Sequence, residues 1–465
     1  MSFPKDFTWG AATSSYQIEG HSAGDGCGAS VWDEFCATPG RVHGGHTGAV
    51  SCDHYHHYAA DVQMMRTLGL GAYRFSVAWP RVLPTGRGKV NATGLAFYDR
   101  LVDALLEARI EPWLTLFHWD YPLALYREGG WLHPDSPRWF EDYTRVIVDK
   151  LSDRVRHWMT LNEPQCFIGL GHQTGIHAPG DKLPLDRTLL AAHHTLLAHG
   201  LAVQTIRNRA KLPPIIGWAP TGDVPTPATE TAEDIEAARE TFWHIAPDSV
   251  WNMAWWLDPV LRGQYPEQGL RAYGAAVPAF TDAEMRTMHQ PVDFLGLNLY
   301  RGYTCRRGDG GAPETVPPVP GGAETHIHWA VHPAALRWGP VFAHERYGLP
   351  IVITENGLAS HDWVSLDGAV HDPQRSDFLA RYLMELRRAV RDGVPVNGYF
   401  AWSLLDNFEW SEGYRYRFGL VHVDYATQRR TPKDSAWWYG ECAQTNGAAL
   451  PAAVPDGARQ PAGRA

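Results

Sequence analysis

Eight short apolar runs recur along the chain with room for a helix between them, and this recurrence constrains the fold more than any other feature. They are FTWGAAT (7–13), AYRFSVAW (72–79), EPWLTLFHW (111–119), RHWMTL (156–161), PIIGWAP (214–220), VDFLGLNLY (292–300), LPIVITE (349–355) and VNGYFAWSL (396–404). Several are nearly continuously apolar, as a strand must be when both its faces are covered in a parallel sheet. The stretch CDHYHHYAADVQMMRTLG opens on Asp53 as an N-cap and closes on Gly69. NATGLAFYDRLVDALLEARI and SDFLARYLMELRRAVRDG repeat apolar residues at helical spacing. Eight such alternations predict an α/β chain, a (β/α)8 TIM barrel with long βα loops, as a single domain over residues 1–445. A doubly wound sheet is the alternative, but no GxGxxG or phosphate-binding loop supports it. Residues 305–326 read as a Gly/Pro-rich loop between the sixth and seventh strands. The Pro/Ala/Gly-rich segment 446–465 reads as a disordered tail.

Composition removes several function classes. Charged residues make up 20% of the 465, and no run of 18 apolar residues occurs, so a membrane span is not expected. The opening MSFPKDFTWGAATSS lacks a basic segment followed by an apolar one, which points to the cytoplasm. The 41 Lys+Arg against 51 Asp+Glu give a net charge of −10, which argues against a nucleic-acid partner. Six scattered cysteines without a CxxC pair are expected to be reduced thiols. The 20 Trp, 19 Tyr and 16 Phe fill a core first, but flat aromatic faces also suit the C–H face of a sugar ring.

The strand ends carry the chemistry. In a barrel of this kind the C-terminal ends of the strands converge on one face. Gln17 follows the first strand, Arg74 lies in the second and His118 ends the third. Asn162 and Glu163 end the fourth, Asn298 and Tyr300 the sixth, and Glu355 the seventh. Trp402, Glu409 and Trp410 follow from the eighth; the fifth shows nothing comparable. Two carboxyls facing one cleft are what glycoside hydrolysis uses, one protonated and one ionised. Arg74 is placed to favour the charged form of Glu355, while an enclosed Glu163 without a cation is pushed towards neutrality.

The stretches FPKDFTWGAATSSYQIEG, YRFSVAWPR, LFHWDYPLAL, TLNEP, HAPG, AAHHTLLAHG, DFLGLNLY, ITENG and YFAWSLLDNFEWSEGYRYRFGLVHVDY occur in this order. From about residue 3 to 440 the chain resembles the family 1 glycoside hydrolases, retaining β-glucosidases. The resemblance implies that Glu163 is the general acid/base and Glu355 the nucleophile, oriented by Arg74, Tyr300 and Asn298. It implies that Gln17, His118, Glu409 and Trp410 hold the sugar hydroxyls, with Trp119 nearby in the substrate site, and that Asn162 bonds the 2-hydroxyl. Trp402 would stack under the ring, Trp329 would floor the leaving-group side, and Phe418 would line the sugar pocket. It further implies a small β-glycoside or cello-oligosaccharide substrate, and no cofactor or metal. The intact DNFEW and TLNEP stretches favour an unphosphorylated O-glycoside. Tyr121 and Leu299 depart from the usual family residues without removing a polar ligand.

The remaining motifs have structural readings. His54, His57 and Asp61 share a helical face but match no familiar zinc spacing, so a capped helix start is expected. Cys166 reads as a small apolar neighbour of Glu163. A non-catalytic sugar receptor, a phosphoglycosidase and a transglycosylase remain as alternatives. Glucose, galactose and fucose are not separated, and oligomeric state is not legible.

Overall fold

The computed structural model describes residues 2–452. Eight parallel strands close into a barrel: β1 (Thr8–Ala12), β2 (Ala72–Ser76), β3 (Glu111–Phe117), β4 (His157–Asn162), β5 (Ile215–Ala219), β6 (Phe294–Asn298), β7 (Ile351–Asn356) and β8 (Val396–Trp402). Each pairs with its neighbours in chain order. β8 closes on β1 in the register Thr8↔Gly398 to Ala12↔Trp402. All eight fall inside the apolar runs of the sequence or within two residues of them.

The near-continuous apolarity of those runs has two causes. Ala12, Ala72, Trp113, Met159, Phe294, Val352 and Phe400 form one buried cluster that fills the inside of the barrel. The intervening residues, such as Leu114, Trp158, Ile216, Leu295, Ile353 and Tyr399, belong to the larger core between strands and helices. A barrel stuffed with side chains is a core rather than a pore, so a ligand can enter only above the strand C-termini.

Among the described residues, eight helices of eleven or more residues surround the strands: α1 (His54–Leu68), α2 (Ala92–Glu107), α3 (Ser136–Leu151), α4 (Leu185–Arg209), α5 (Ala232–Phe242), α6 (Ala335–Tyr347), α7 (Pro373–Arg391) and α8 (Asp434–Gln444). α1 ends at Gly69 with φ +78°, the left-handed turn glycine adopts without a Cβ penalty. At its other end Asp53 caps no backbone N–H; its carboxylate takes the His56 ring at 2.6 Å instead. His54 pairs with Asp61 at 2.7 Å, and Asp61 also receives Arg430. Among the described residues no helix is long and apolar enough to cross a membrane.

Two segments differ from the sequence reading. Within the expected loop 305–326, the strand Gly302–Arg307 pairs in parallel with Val224–Pro227 and antiparallel with Pro313–Thr315. The β-prone GYTCRR stretch and the tight Gly308–Gly311 turn account for that hairpin. Asn446, expected in the tail, exchanges backbone and side-chain hydrogen bonds with Phe3 and accepts the Trp9 indole N–H at 3.0 Å. Leu450 is also buried. Residues 453–465 of that expected tail lie outside the described residues.

A buried charge network ties down the loops after β7 and β8. Lys433 pairs with Asp362 at 2.5 Å and with Asp406 at 2.7 Å. Arg375 holds Asp362 and Asp372, and Arg417 holds Asp406. Removing one partner from such a network leaves charge buried without compensation. Lys433→Met is therefore expected to cost about 3 kcal/mol, read as an earlier chemical-denaturation midpoint. An unchanged midpoint would show that Arg375 and Arg417 suffice.

Candidate active site

The strand C-termini open into a cavity of about 740 Å³, lined by Glu163, Glu355 and Glu409 together with His118, Trp119, Tyr300, Trp329, Trp402, Trp410 and Phe418. That is the size range of small-molecule sites. Both strands that deliver the central carboxyls lose regular register just before them. β4 slips against β5 between Met159 and Asn162, and β7 slips beyond Ile353 against both neighbours. Slips of this kind bend a strand and re-aim the side chain that follows. The backbone of Glu163 is left-handed, with φ +46°, as are Trp119 at +80° and Trp410 at +50°. For non-glycine residues such conformations cost about 1–3 kcal/mol each and persist where surrounding structure holds them.

A polar bracket joins the two carboxyls from behind. Arg74 Nη1 donates to Glu355 Oε1, and its Nη2 donates to Asn162 Oδ1 at 2.5 Å. Asn298 Nδ2 donates to the same Asn162 oxygen at 2.9 Å and to Glu163 Oε1 at 2.7 Å. Thr354 Oγ1 donates to Asn298 Oδ1 at 2.6 Å, which fixes the amide so that its NH2 end faces Glu163. Tyr300 donates its hydroxyl to Glu355 Oε2 at 2.6 Å.

The two carboxyls differ electrostatically. Burial, with the charge of Glu355 added, pushes Glu163 up to about 8. Burial also raises Glu355, but the Arg74 guanidinium and the Tyr300 hydroxyl pull against it. Glu409, partly open to the cavity, is likewise raised to about 8 by burial and then by Glu355 and Glu163.

Aromatic rings form the walls. Trp410 packs on Trp119 with centroids 4.4 Å apart, and His118 stacks against Trp402 at 5.7 Å. Burial, then Arg74, holds His118 well below the ordinary histidine range, so the ring is neutral. Its Nε2 accepts from the Asn162 amide at 3.2 Å, and its buried Nδ1 has no partner among the described residues. A neutral imidazole with Nε2 accepting carries its proton on Nδ1, free to donate to a ligand.

Not every residue expected at the sugar faces the cavity. Gln17 is fully buried behind Glu409; its amide donates to Phe408 O at 2.9 Å, to Asn407 Oδ1 at 3.1 Å and, at 3.5 Å, to Glu409 Oε2. It steadies the loop that carries Glu409. The Trp119 indole N–H is taken by the Asn162 carbonyl at 2.9 Å, leaving its ring as the exposed feature. Arg74, Asn162 and Asn298 stand under the cavity as the bracket. Trp329 lies against Tyr300 at 5.4 Å and Phe418 at 6.0 Å.

Several lining residues were missed. Asp223, beyond β5, pairs with Arg301, whose guanidinium also covers Trp329 at 5.4 Å. Trp251 and Ile176 complete the outer wall. Asp223 sits four residues past the β5 end, a signal the run PIIGWAPTGD carried. Cys166, read as apolar filler, donates its thiol to Glu163 Oε2 at 3.1 Å.

A barrel whose strand ends bring a cation-held carboxylate and a proton-retaining carboxyl into one aromatic-walled cavity defines a glycoside hydrolase. The model for Glycosyl hydrolase family 1 matches residues 1–448, and the chain belongs to that family. A 1,4-beta-D-glucan glucohydrolase of Thermotoga neapolitana is 43% identical over 447 residues, 96% of this chain and 99% of the relative. Beta-glucosidase A of Thermotoga maritima is also 43% identical, over 96% of this chain and 98% of its own. The solved beta-glucosidase from Thermotoga maritima in complex with glucoimidazole superposes with a TM-score of 0.88 at 42% identity, covering 96% of this chain and 99% of that one.

Proposed function

We propose that the chain is a retaining β-glucosidase that removes terminal non-reducing β-D-glucosyl residues, with β-galactosides and β-fucosides as further candidate substrates. Glu355 attacks the anomeric carbon while Glu163 protonates the departing oxygen. Water, deprotonated by the ionised Glu163, then releases the sugar from the covalent intermediate. The observation that carries this reading is the asymmetry of the two carboxyls: Arg74 and Tyr300 hold Glu355, and no cation is bonded to Glu163.

The surroundings support roles for the other residues. The His118 ring and the Glu409 carboxyl line the cavity as groups for hydroxyls, and Trp402, Trp410 and Phe418 offer apolar faces for the ring. In this reading Asn162 bonds the 2-hydroxyl and Trp329 floors the leaving-group side. Glu409 has acidic neighbours in Glu355, Glu163 and Glu412, which disfavours a 6-phosphate. The relatives' names support glucosides and short β-glucans as substrates. Six cysteines without a disulfide among them support a reducing compartment such as the cytoplasm.

The sugar released from a panel of aryl β-glycosides and cello-oligosaccharides, glucose from the plain substrates and glucose 6-phosphate from their 6-phosphorylated forms, tests the substrate class. Release only from phosphorylated substrates would overturn it. The pH profile tests the roles. As pH rises through about 8, Glu163 loses the proton it must donate, so kcat/KM falls. As pH falls, Glu355 gains a proton and ceases to attack, so kcat/KM falls again. A bell results; a flat alkaline side through pH 9 would contradict the assignment of Glu163.

A further inference from the structure

We infer that Cys166 is a positioning residue for Glu163: its thiol donates to Oε2 of the ionised carboxylate and gives way when that oxygen takes up the proton. The inference rests on Glu163 acting as the acid/base.

The geometry assigns each oxygen of Glu163 a different task. Oε1 receives Asn298 Nδ2 at 2.7 Å, and that amide is locked in orientation by Thr354, so it can only donate. A proton on Oε1 would face an N–H that cannot turn away. The acidic proton therefore belongs on Oε2, whose partner is the Cys166 thiol at 3.1 Å. A thiol is a weak donor and a weak acceptor and rotates about one bond. It can face the carboxylate when Oε2 is bare and turn aside, or accept, when Oε2 carries hydrogen.

The proton count closes over both half-reactions. In the first, the Oε2 proton passes to the glycosidic oxygen as that oxygen takes the electron pair of the breaking C–O bond. The thiol then donates to the bare Oε2. In the second, Oε2 takes a proton from water as the water oxygen bonds the anomeric carbon and the ester to Glu355 breaks; the thiol yields again. Cys166 keeps its own proton throughout, since burial and the facing Glu163 push the thiol well above its ordinary value. A serine hydroxyl or amide at this place would grip the carboxylate harder and favour the ionised state.

Other groups also bear on Glu163. Glu355 from β7 and Glu409 from the loop after β8 raise its proton affinity. Arg74 from β2 lowers it, the charge of Arg301 after β6 acts on the thiol, and Tyr300 bonds Glu355 and feels the charge of both carboxyls. None of these changes when Cys166 is replaced, so the alkaline limb of kcat/KM isolates the thiol.

The test compares Cys166→Ser and Cys166→Ala with the parent enzyme across pH on one alkyl glucoside. The serine variant is expected to lower the alkaline pKa by about half a unit to one unit, and the alanine variant to raise it by about half a unit. Either variant alone suffices if the other does not fold. In the unaltered protein, difference infrared spectra should show an S–H stretch moving to lower frequency as the limb titrates. Limbs that stay within about 0.2 unit of the parent, or an S–H band indifferent to pH, overturn the inference. Glu163→Gln separates the two levels. If the alkaline limb survives that change, the acid/base reading has failed; if it vanishes there yet ignores Cys166, only the thiol's role has.

Discussion

Glu355→Ala should lower kcat/KM by about 10⁴-fold or more on every glycoside, because it removes the carboxylate that Arg74 and Tyr300 hold beside Glu163. The same change leaves Arg74 buried with only neutral partners in Thr115, Thr354 and Asn162. A loss of about 3 kcal/mol in stability should accompany the loss of turnover. The depth of Arg74 is why the change is not confined to activity. Glu355→Gln, which keeps the shape and the tyrosine contact, should retain more stability while remaining inactive. A small anion such as azide, added to the alanine variant, should occupy the vacated space and yield the glycosyl azide of inverted configuration. Appreciable turnover without such an additive would remove Glu355 from the nucleophile role.

Glu163→Ala should split substrates by leaving group. Alkyl glucosides and cellobiose need a proton as the bond breaks and should lose about 10²–10⁴-fold in kcat/KM. Aryl glucosides with strongly acidic phenols leave unaided, and their kcat/KM should change little. Their kcat should still fall, because hydrolysis of the intermediate lacks its base. Equal losses on both substrate types would mean that Glu163 supports the fold of the site rather than the proton transfer.

The barrel was legible because its strands are buried on both sides, so their apolarity is written without gaps. The polar strand ends were legible for the same reason: against such a background Glu163 and Glu355 are costly unless used. What escaped depends on chain segments distant in sequence. Asp223 and Arg301 are 78 residues apart, and their pairing follows from how two loops fold over the rim. The slips of register in β4 and β7 leave no compositional trace, yet they aim the carboxyls. Only packing shows the Gln17 amide shared among the Asn407 side chain, the Phe408 backbone and the Glu409 carboxyl. Cys166 was misjudged because side-chain type alone does not say where a thiol points.

The bracket of Arg74, Asn162 and Asn298 has a wider consequence. Whether a glycosidase keeps or flips the anomeric configuration depends on the gap between its carboxyls, since a wider gap admits water in place of direct attack. Here that gap is spanned by one guanidinium and two amides anchored on three different strands. Stereochemical outcome is thus stored in the floor of the barrel, and drift in a single loop is poorly placed to rewrite it.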